Sequence, residues 1–79
     1  MKEVEMIATF LKDGTIKPFR FRLIEDDSFI VINISRILYF DVDRKNEYIK
    51  YKCECVVQNK MRIIDVFFYK NKFTWYVKI

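Results

Sequence analysis

The feature that most constrains the fold of this chain is an alternation of apolar and polar residues with a period of two, which continues along almost the whole sequence. Residues 19–23 and 73–77 show it clearly, since each segment places one kind of side chain above the backbone and another kind below it. Only a half-buried β-strand separates side chains in this way, because successive residues of a strand point to opposite faces. The alternation therefore predicts a small antiparallel all-β protein.

Six strands are predicted between the turn-like segments, over residues 3–12, 16–24, 29–40, 48–57, 62–69 and 73–79. No helical periodicity, internal repeat or linker interrupts them. A chain of 79 residues is too short to support two hydrophobic cores, so we expect residues 1–79 to form a single domain. Six short meandering strands are typical of a small SH3-like or other partly open barrel.

The first two strands are joined by Asp13-Gly14, a dipeptide that favours a two-residue type I′ turn because both of its residues tolerate positive φ. Pairing across this turn places Met6 opposite Phe21 and Ala8 opposite Phe19 on the inner face. The hairpin is therefore predicted to bury aromatic rings from its second strand.

Three irregular positions refine this picture. Pro18 has no backbone N–H, so its strand is expected to lie at an edge or to carry a bulge there. Residues 29–34 form the least charged strand and would aggregate as an edge, which favours a central position. Alternation is lost over residues 37–40, which predicts a bulge or bend.

The C-terminal half is predicted to form a meander with two-residue turns at Asn59-Lys60 and Asn71-Lys72. Asp65 stays out of the core only if Ile64, Val66 and Phe68 point inward, as these turns require. An unpaired carboxylate in the core would be costly. The predicted inner pairs are Cys55 with Ile64, Cys53 with Val66, Tyr51 with Phe68, and Phe68 with Trp75.

Catalytic and metal-binding groups are hard to assemble from this sequence. The chain has no His, so a nucleophile activated by His is impossible, and the acidic residues 25–27 are typical of a solvated turn. Residues 41–47 resemble a calcium loop but lack its glycine. Cys53 and Cys55 are too few for a zinc site and indicate core thiols in a reducing compartment. We expect no catalytic residue, cofactor, metal or small-molecule substrate.

The net charge of +4 is concentrated in residues 41–79, which contain nine basic and five acidic side chains. This asymmetry is a weak indication of an acidic partner. The N-terminus contains no uninterrupted apolar stretch, and no segment is apolar for the length of a bilayer. The sequence predicts a cytoplasmic protein that does not interact with membranes.

The predicted register collects lysines and aromatic rings on the outer side of the C-terminal meander, which we call the outer face. It consists of Lys50, Lys52, Phe67, Tyr69, Lys70, Lys72, Thr74 and Tyr76. Such a surface is covered by another part of the chain or by a second copy, or else it binds single-stranded nucleic acid, whose bases stack on aromatic rings. The favoured hypothesis is a non-enzymatic interaction module that associates with itself or with another protein, through an exposed strand edge or the outer face. The alternative is a nucleic-acid-binding module that uses the outer face, and an enzyme ranks third.

A resemblance to a known family adds to this interpretation. The pattern Asp13-Gly14-x3-Pro18-x2-Phe21, followed by Tyr51-x-Cys53 and a late Trp75, resembles that of an uncharacterised family of small bacterial all-β proteins. The chain departs from the pattern at Leu23, where a Trp is expected. The resemblance covers most of the chain and implies a barrel. Since the family has no assigned activity, it implies no functional residue.

Overall fold

The computed structural model describes all residues from Met1 to Ile79 and contains only strands and turns. The strands are β1 (Lys2–Phe10), β2 (Ile16–Glu25), β3 (Ser28–Asp43), β4 (Tyr48–Val57), β5 (Lys60–Tyr69) and β6 (Thr74–Lys78). Each strand pairs with the next in antiparallel orientation, and β6 pairs with β1, so the sheet closes into a barrel. The predicted fold class, a small six-stranded antiparallel barrel, is confirmed.

The strand boundaries differ most from prediction in β3. This strand has 16 residues and continues to Asp43, whereas the prediction ended it at residue 40. The bulge expected over residues 37–40 is present, since Ile37 pairs with Cys53 and Tyr39 with the next residue, Lys52, leaving Leu38 as the extra residue. A second bulge at Ser35 bends the same strand. β3 pairs with β2 through residues 28–33 and with β4 from Asn33 onward. Residues 29–32 therefore have a partner strand on one side only, and their predicted central position is wrong.

The turn between β1 and β2 lies where it was predicted but has another geometry. The Gly14 N–H donates to the Leu11 carbonyl at 3.0 Å, and only Gly14 has a positive φ in this turn. Asp13 accepts the Thr15 N–H at 2.9 Å, which fixes a loop of residues 12–14 in place of a type I′ turn. Near the turn, the longer loop shifts the pairing register of β1 and β2 by one residue.

This shift is corrected at a bulge in β2. Near the turn Ala8 pairs with Pro18, but beyond the bulge Met6 pairs with Phe21 as predicted. Phe19 is the extra residue and points outward, so its predicted inward pairing with Ala8 is wrong. Pro18 is buried in its place. The prediction of a bulge at Pro18, whose ring cannot donate to a ladder, is confirmed.

The β4–β5 hairpin is displaced by two residues from its predicted register. Its turn is Gln58-Asn59, with φ of 50° and 64° as a type I′ turn requires, and Cys53 pairs with Ile64 and Tyr51 with Val66. A slip of two residues leaves every side chain on its predicted face. The predicted register, with Cys55 opposite Ile64, would place Glu54 opposite Asp65, which is a repulsive pair. The observed register places Lys52 opposite Asp65 instead, which is the electrostatic reason to prefer it.

The β5–β6 register agrees with prediction. Phe68 pairs with Trp75 and Asp65 with Lys78, and the Phe68 and Trp75 rings lie 4.5 Å apart between centroids. The connection is longer than the predicted two-residue turn, because residues 70–73 lie between the strands and Phe73 has a φ of 52°.

The core is one cluster of 13 buried residues, and no polar side chain is buried with them. Its members are Val4, Phe21, Leu23, Ile32, Ile49, Tyr51, Cys53, Cys55, Ile64, Val66, Phe68, Trp75 and Val77. Burial of each large apolar side chain contributes roughly 1.5 to 3 kcal/mol. β4, β5 and β6 supply most of the cluster, so the barrel is best packed on that side.

Candidate interaction surfaces

The structure places the predicted outer-face residues together. Lys50 pairs with Phe67, Phe67 with Tyr76, and Tyr69 with Thr74 across β4, β5 and β6, all on the outer side of the sheet. Lys52 continues the row on β4, while Lys70 and Lys72 lie in the adjoining loop. The eight residues therefore form a continuous surface.

Four aromatic side chains on this surface pack against each other. The Tyr48 ring lies 5.4 Å from Phe67 and 5.3 Å from Tyr69, and Tyr69 lies 5.4 Å from Tyr76 edge to face. As a result only 8% of Phe67 is exposed although it points away from the barrel interior. Tyr48 was missed in the sequence, although it has the same parity along β4 as Lys50 and Lys52.

Carboxylates balance part of the positive charge on the outer face. Asp65 lies 3.8 Å from the Lys50 ammonium and 3.6 Å from that of Lys52, and Asp41 is the β3 neighbour of Lys50. The Lys50 ammonium also lies 6.0 Å from the centre of the Phe67 ring. Because rings and ammonium groups already contact one another, little free ring face is left for a stacking base. The nucleic-acid hypothesis stays a prediction.

A second candidate surface is a groove between β2 and β3. These strands pair only from Glu25 and Ser28 at their turn to Arg20 and Asn33. Beyond that point, residues 16–18 of β2 pair with β1, and residues 34–43 of β3 pair with β4. The bulges at Phe19 and Ser35 mark the places where the two strands separate. Each strand therefore has an unpaired backbone edge facing the groove.

The groove has a volume of about 560 Å³ and a mainly apolar lining. Fourteen residues line it: Thr9, Thr15, Ile16, Lys17, Pro18, Phe19, Ile34, Ser35, Arg36, Ile37, Leu38, Tyr39, Phe40 and Tyr51. The buried Tyr51 ring reaches across from β4, and its hydroxyl donates to the Ile16 carbonyl at 2.7 Å. Burial raises the pKa of Tyr51 to about 12, so the hydroxyl remains a donor at physiological pH.

Side chains of β3 beside the groove are exposed on both faces of the strand. Phe40 and Val42 point toward the barrel interior, opposite Tyr51 and Ile49, yet 55% of Phe40 and 50% of Val42 are exposed. Leu38 and Tyr39 are exposed as well. Large apolar side chains clustered along an unpaired edge are typical of a protein contact. The sequence indicated this region only through Pro18 and the broken alternation in β3.

The two thiols and the acidic segments occupy structural positions. Cys53 and Cys55 are free and fully buried, and burial raises the pKa of their thiols to about 12 and about 11. Asp43 accepts the Asn46 N–H at 2.9 Å, and this bond holds the pKa of that carboxyl below 3.8. No group of three or more His, Cys, Asp or Glu side chains converges as a metal site would require.

Comparison with known proteins found no matching family model, no matching curated protein and no matching solved structure. The resemblance to small bacterial all-β proteins therefore stays a prediction. The structure contains no helix long and apolar enough to cross a bilayer.

Proposed function

We propose that this protein is a non-enzymatic interaction module that binds an extended polypeptide segment along the free edge of β3. The observation that carries the proposal is the half-exposed state of Phe40, an inward-pointing ring that contacts Tyr51 of β4 but has no covering strand on the β2 side. A bound segment would take the place of that missing strand.

Addition of a strand accounts for the unpaired backbone groups of the β3 edge and for its exposed apolar side chains. The backbone of residues 34–43 has no partner on the β2 side, and an added strand supplies the hydrogen bonds that give such complexes much of their affinity. Every second side chain of the added strand would point into the groove, whose apolar lining provides selectivity.

The outer face supports binding less well. Its most central ring, Phe67, is already packed against Tyr48 and lies 6.0 Å from the Lys50 ammonium. Asp65 compensates part of the positive charge of Lys50 and Lys52. A surface whose groups are satisfied by one another gains less from a partner than an edge with unpaired backbone groups.

The proposal is tested with a displayed library of random peptides selected on the folded protein. We expect selected peptides to have alternating apolar residues, and to slow amide hydrogen exchange within residues 34–43 when bound. The variant Phe40→Lys, which places a charge in the groove, should weaken their binding roughly tenfold or more. Phe29→Lys is the matched control because Phe29 is equally exposed but lies beyond the groove on the hairpin.

Two results would contradict the proposal. One is a selection, at a concentration where the protein is monomeric, that yields no peptide with an affinity better than about 1 mM, a Kd too weak for a specific site. The other is a set of binding peptides that protect β5 and β6 and respond equally to both lysine variants.

A further inference from the structure

We infer that the extended segment bound at this edge is β3 of a second copy of the same chain, paired antiparallel about a twofold axis at Tyr39. This inference rests on the proposed function and names its partner. It follows from the pattern of residues along the free edge.

The two bulges determine that pattern. Because Ser35 and Leu38 are extra residues, the remaining positions of β3 alternate regularly between the two faces of the sheet. Residues opposite the buried positions of β4 point inward, and they are Ile34, Ile37, Phe40 and Val42; the outward positions are Arg36, Tyr39, Asp41 and Asp43.

A twofold axis at Tyr39 pairs these positions with complementary ones. Counting only regular positions, Ile37 lies opposite Phe40 of the second copy, and Arg36 lies opposite its Asp41. One step further, Ile34 lies opposite Val42. Apolar residues therefore meet on the inner side and opposite charges on the outer side, and the symmetry makes every such contact twice.

Neighbouring registers fit less well. An axis at Phe40 would place Tyr39 opposite Asp41 and would pair Arg36 with Asp43, whose carboxylate is already bonded to both the backbone and the side chain of Asn46. An axis at Ile37 leaves Arg36 opposite Tyr39 without any ion pair. Asp41 makes no ion pair within its own chain, so it is free to bind the partner's arginine.

The exposed inward residues support a partner of this chemistry. Phe40 and Val42 need an apolar strand to cover them, and β3 itself presents apolar residues at every regular inward position. Because two copies must meet, the association should be concentration-dependent. It should also bury the edge that otherwise exposes the chain to aggregation.

The experiment is a charge exchange followed by sedimentation velocity and native mass spectrometry. The wild-type chain should form dimers within a range of about 5 to 500 µM. Arg36→Asp and Asp41→Arg should each weaken self-association roughly tenfold or more, because each replaces two opposite-charge contacts by two like-charge contacts. A mixture of the two variants should form mixed dimers of wild-type strength, since opposite charges then face each other again.

A matched pair of variants controls for the change in net charge. Lys60→Asp and Glu3→Arg alter exposed residues on β5 and β1, outside the proposed interface, and should leave association within about twofold. Arg36 also bonds Glu54 at 2.9 Å. If Arg36→Asp unfolds for that reason, the exchange is repeated in a Glu54→Gln background.

The outcomes separate this inference from the proposed function. If the wild-type chain stays monomeric to about 500 µM, the inference that the bound segment is a second copy is overturned. The proposed function survives in that case if library peptides still protect residues 34–43. The twofold pairing at Tyr39 is also overturned if neither charge reversal weakens the dimer, or if a mixture of the two variants does not regain wild-type association. A monomer that binds no peptide removes both proposals.

Discussion

Phe67 on the outer face and Phe40 beside the groove differ in a way that their orientation does not explain. Phe67 points away from the barrel interior and is 8% exposed, whereas Phe40 points toward the interior and is 55% exposed. The reason lies in the neighbouring strands. β5 has a paired strand on each side over residues 65–69, which include Phe67, while β3 beyond Asn33 is paired on one side only. In a barrel this small, lateral neighbours decide burial as much as the direction of a side chain.

The comparison also separates stability from binding. Rings on the outer face contact Tyr48, Tyr69 and Tyr76 of the same chain, so their apolar surface already contributes to folding. The rings beside the groove leave much of that surface in water, where it is free to contribute to association. The same residue type therefore serves different purposes at the two places.

The largest expected effect tests this separation directly. Phe67→Ala should lower the free energy of unfolding by about 3 kcal/mol, because it removes a ring that is almost fully covered. Phe40→Ala should cost about 1 kcal/mol or less, since more than half of that ring is solvated in the free chain. Urea unfolding at a concentration where the protein is monomeric measures both. Equal losses would remove the distinction between the two surfaces.

The thiols of Cys53 and Cys55 lie in the core, on the well-packed side of the barrel. Burial raises the pKa of Cys53 to about 12 and that of Cys55 to about 11, from an ordinary value of 9.0. Below pH 9 both thiols are neutral in either state, so their full contribution to stability is present there. As pH rises above 9, only the unfolded chain ionises readily, and stability falls until the folded thiols ionise too.

Each thiol should account for roughly 2 kcal/mol of stability lost by pH 11. The measurement is a series of unfolding free energies from pH 7 to about 11, compared with Cys55→Ala, whose alkaline decline should be shallower by that amount. Rapid reaction of the native protein with a thiol reagent at pH 8 would show instead that this side opens easily.

Part of this architecture could be predicted from the sequence, because burying a carboxylate is costly. Asp65 fixes which face of β5 points inward, and so Phe68 and Trp75 were paired correctly. The requirement that apolar residues point inward cannot detect a register slip of two residues, since every side chain keeps its face. The observed β4–β5 register therefore differs from the predicted one by two residues, and the charge pairing of Lys52 with Asp65 favours the observed register.

The groove could not be predicted in the same way. Alternation along one strand shows which face is apolar, but it does not show where two paired strands separate. Pro18 and the irregular stretch near Leu38 marked the region, yet the separation depends on bulges in both β2 and β3 at corresponding heights. The pairing of the outer-face residues was local to consecutive hairpins and was accessible for that reason.

A smaller effect is expected at the hairpin that holds β2 and β3 together. Asp26 and Asp27 form its turn with φ of 46° and 65°, a conformation that Asn and Gly adopt more readily. Replacing the pair by Asn-Gly should raise the unfolding free energy by about 0.5 to 1 kcal/mol. Hydrogen exchange of residues 34–43 should stay unchanged, because the turn lies at the far end of the paired segment. Slower exchange there would mean that the groove closes when the hairpin is strengthened.

The smallest effect concerns the ion pairs of the outer face. Asp65→Asn should lower stability by about 0.5 kcal/mol, because Lys50 and Lys52 lose the carboxylate between them. The loss should fade at about 1 M salt, where charges interact over only about 3 Å. Glu25→Gln is the control, since its ion pair with Lys2 is more exposed to solvent and should contribute less.

The same substitution has an opposite outcome that would be equally informative. One Asp65 carboxylate oxygen is buried without a hydrogen bond, so removing the charge also removes a desolvation cost. If Asp65→Asn raised the free energy of unfolding, desolvation of the carboxylate would outweigh its attraction to the two lysines. The attraction of the two lysines to Asp65 would then give no net stabilisation. Electrostatics would no longer support the conclusion that the groups of the outer face already satisfy one another.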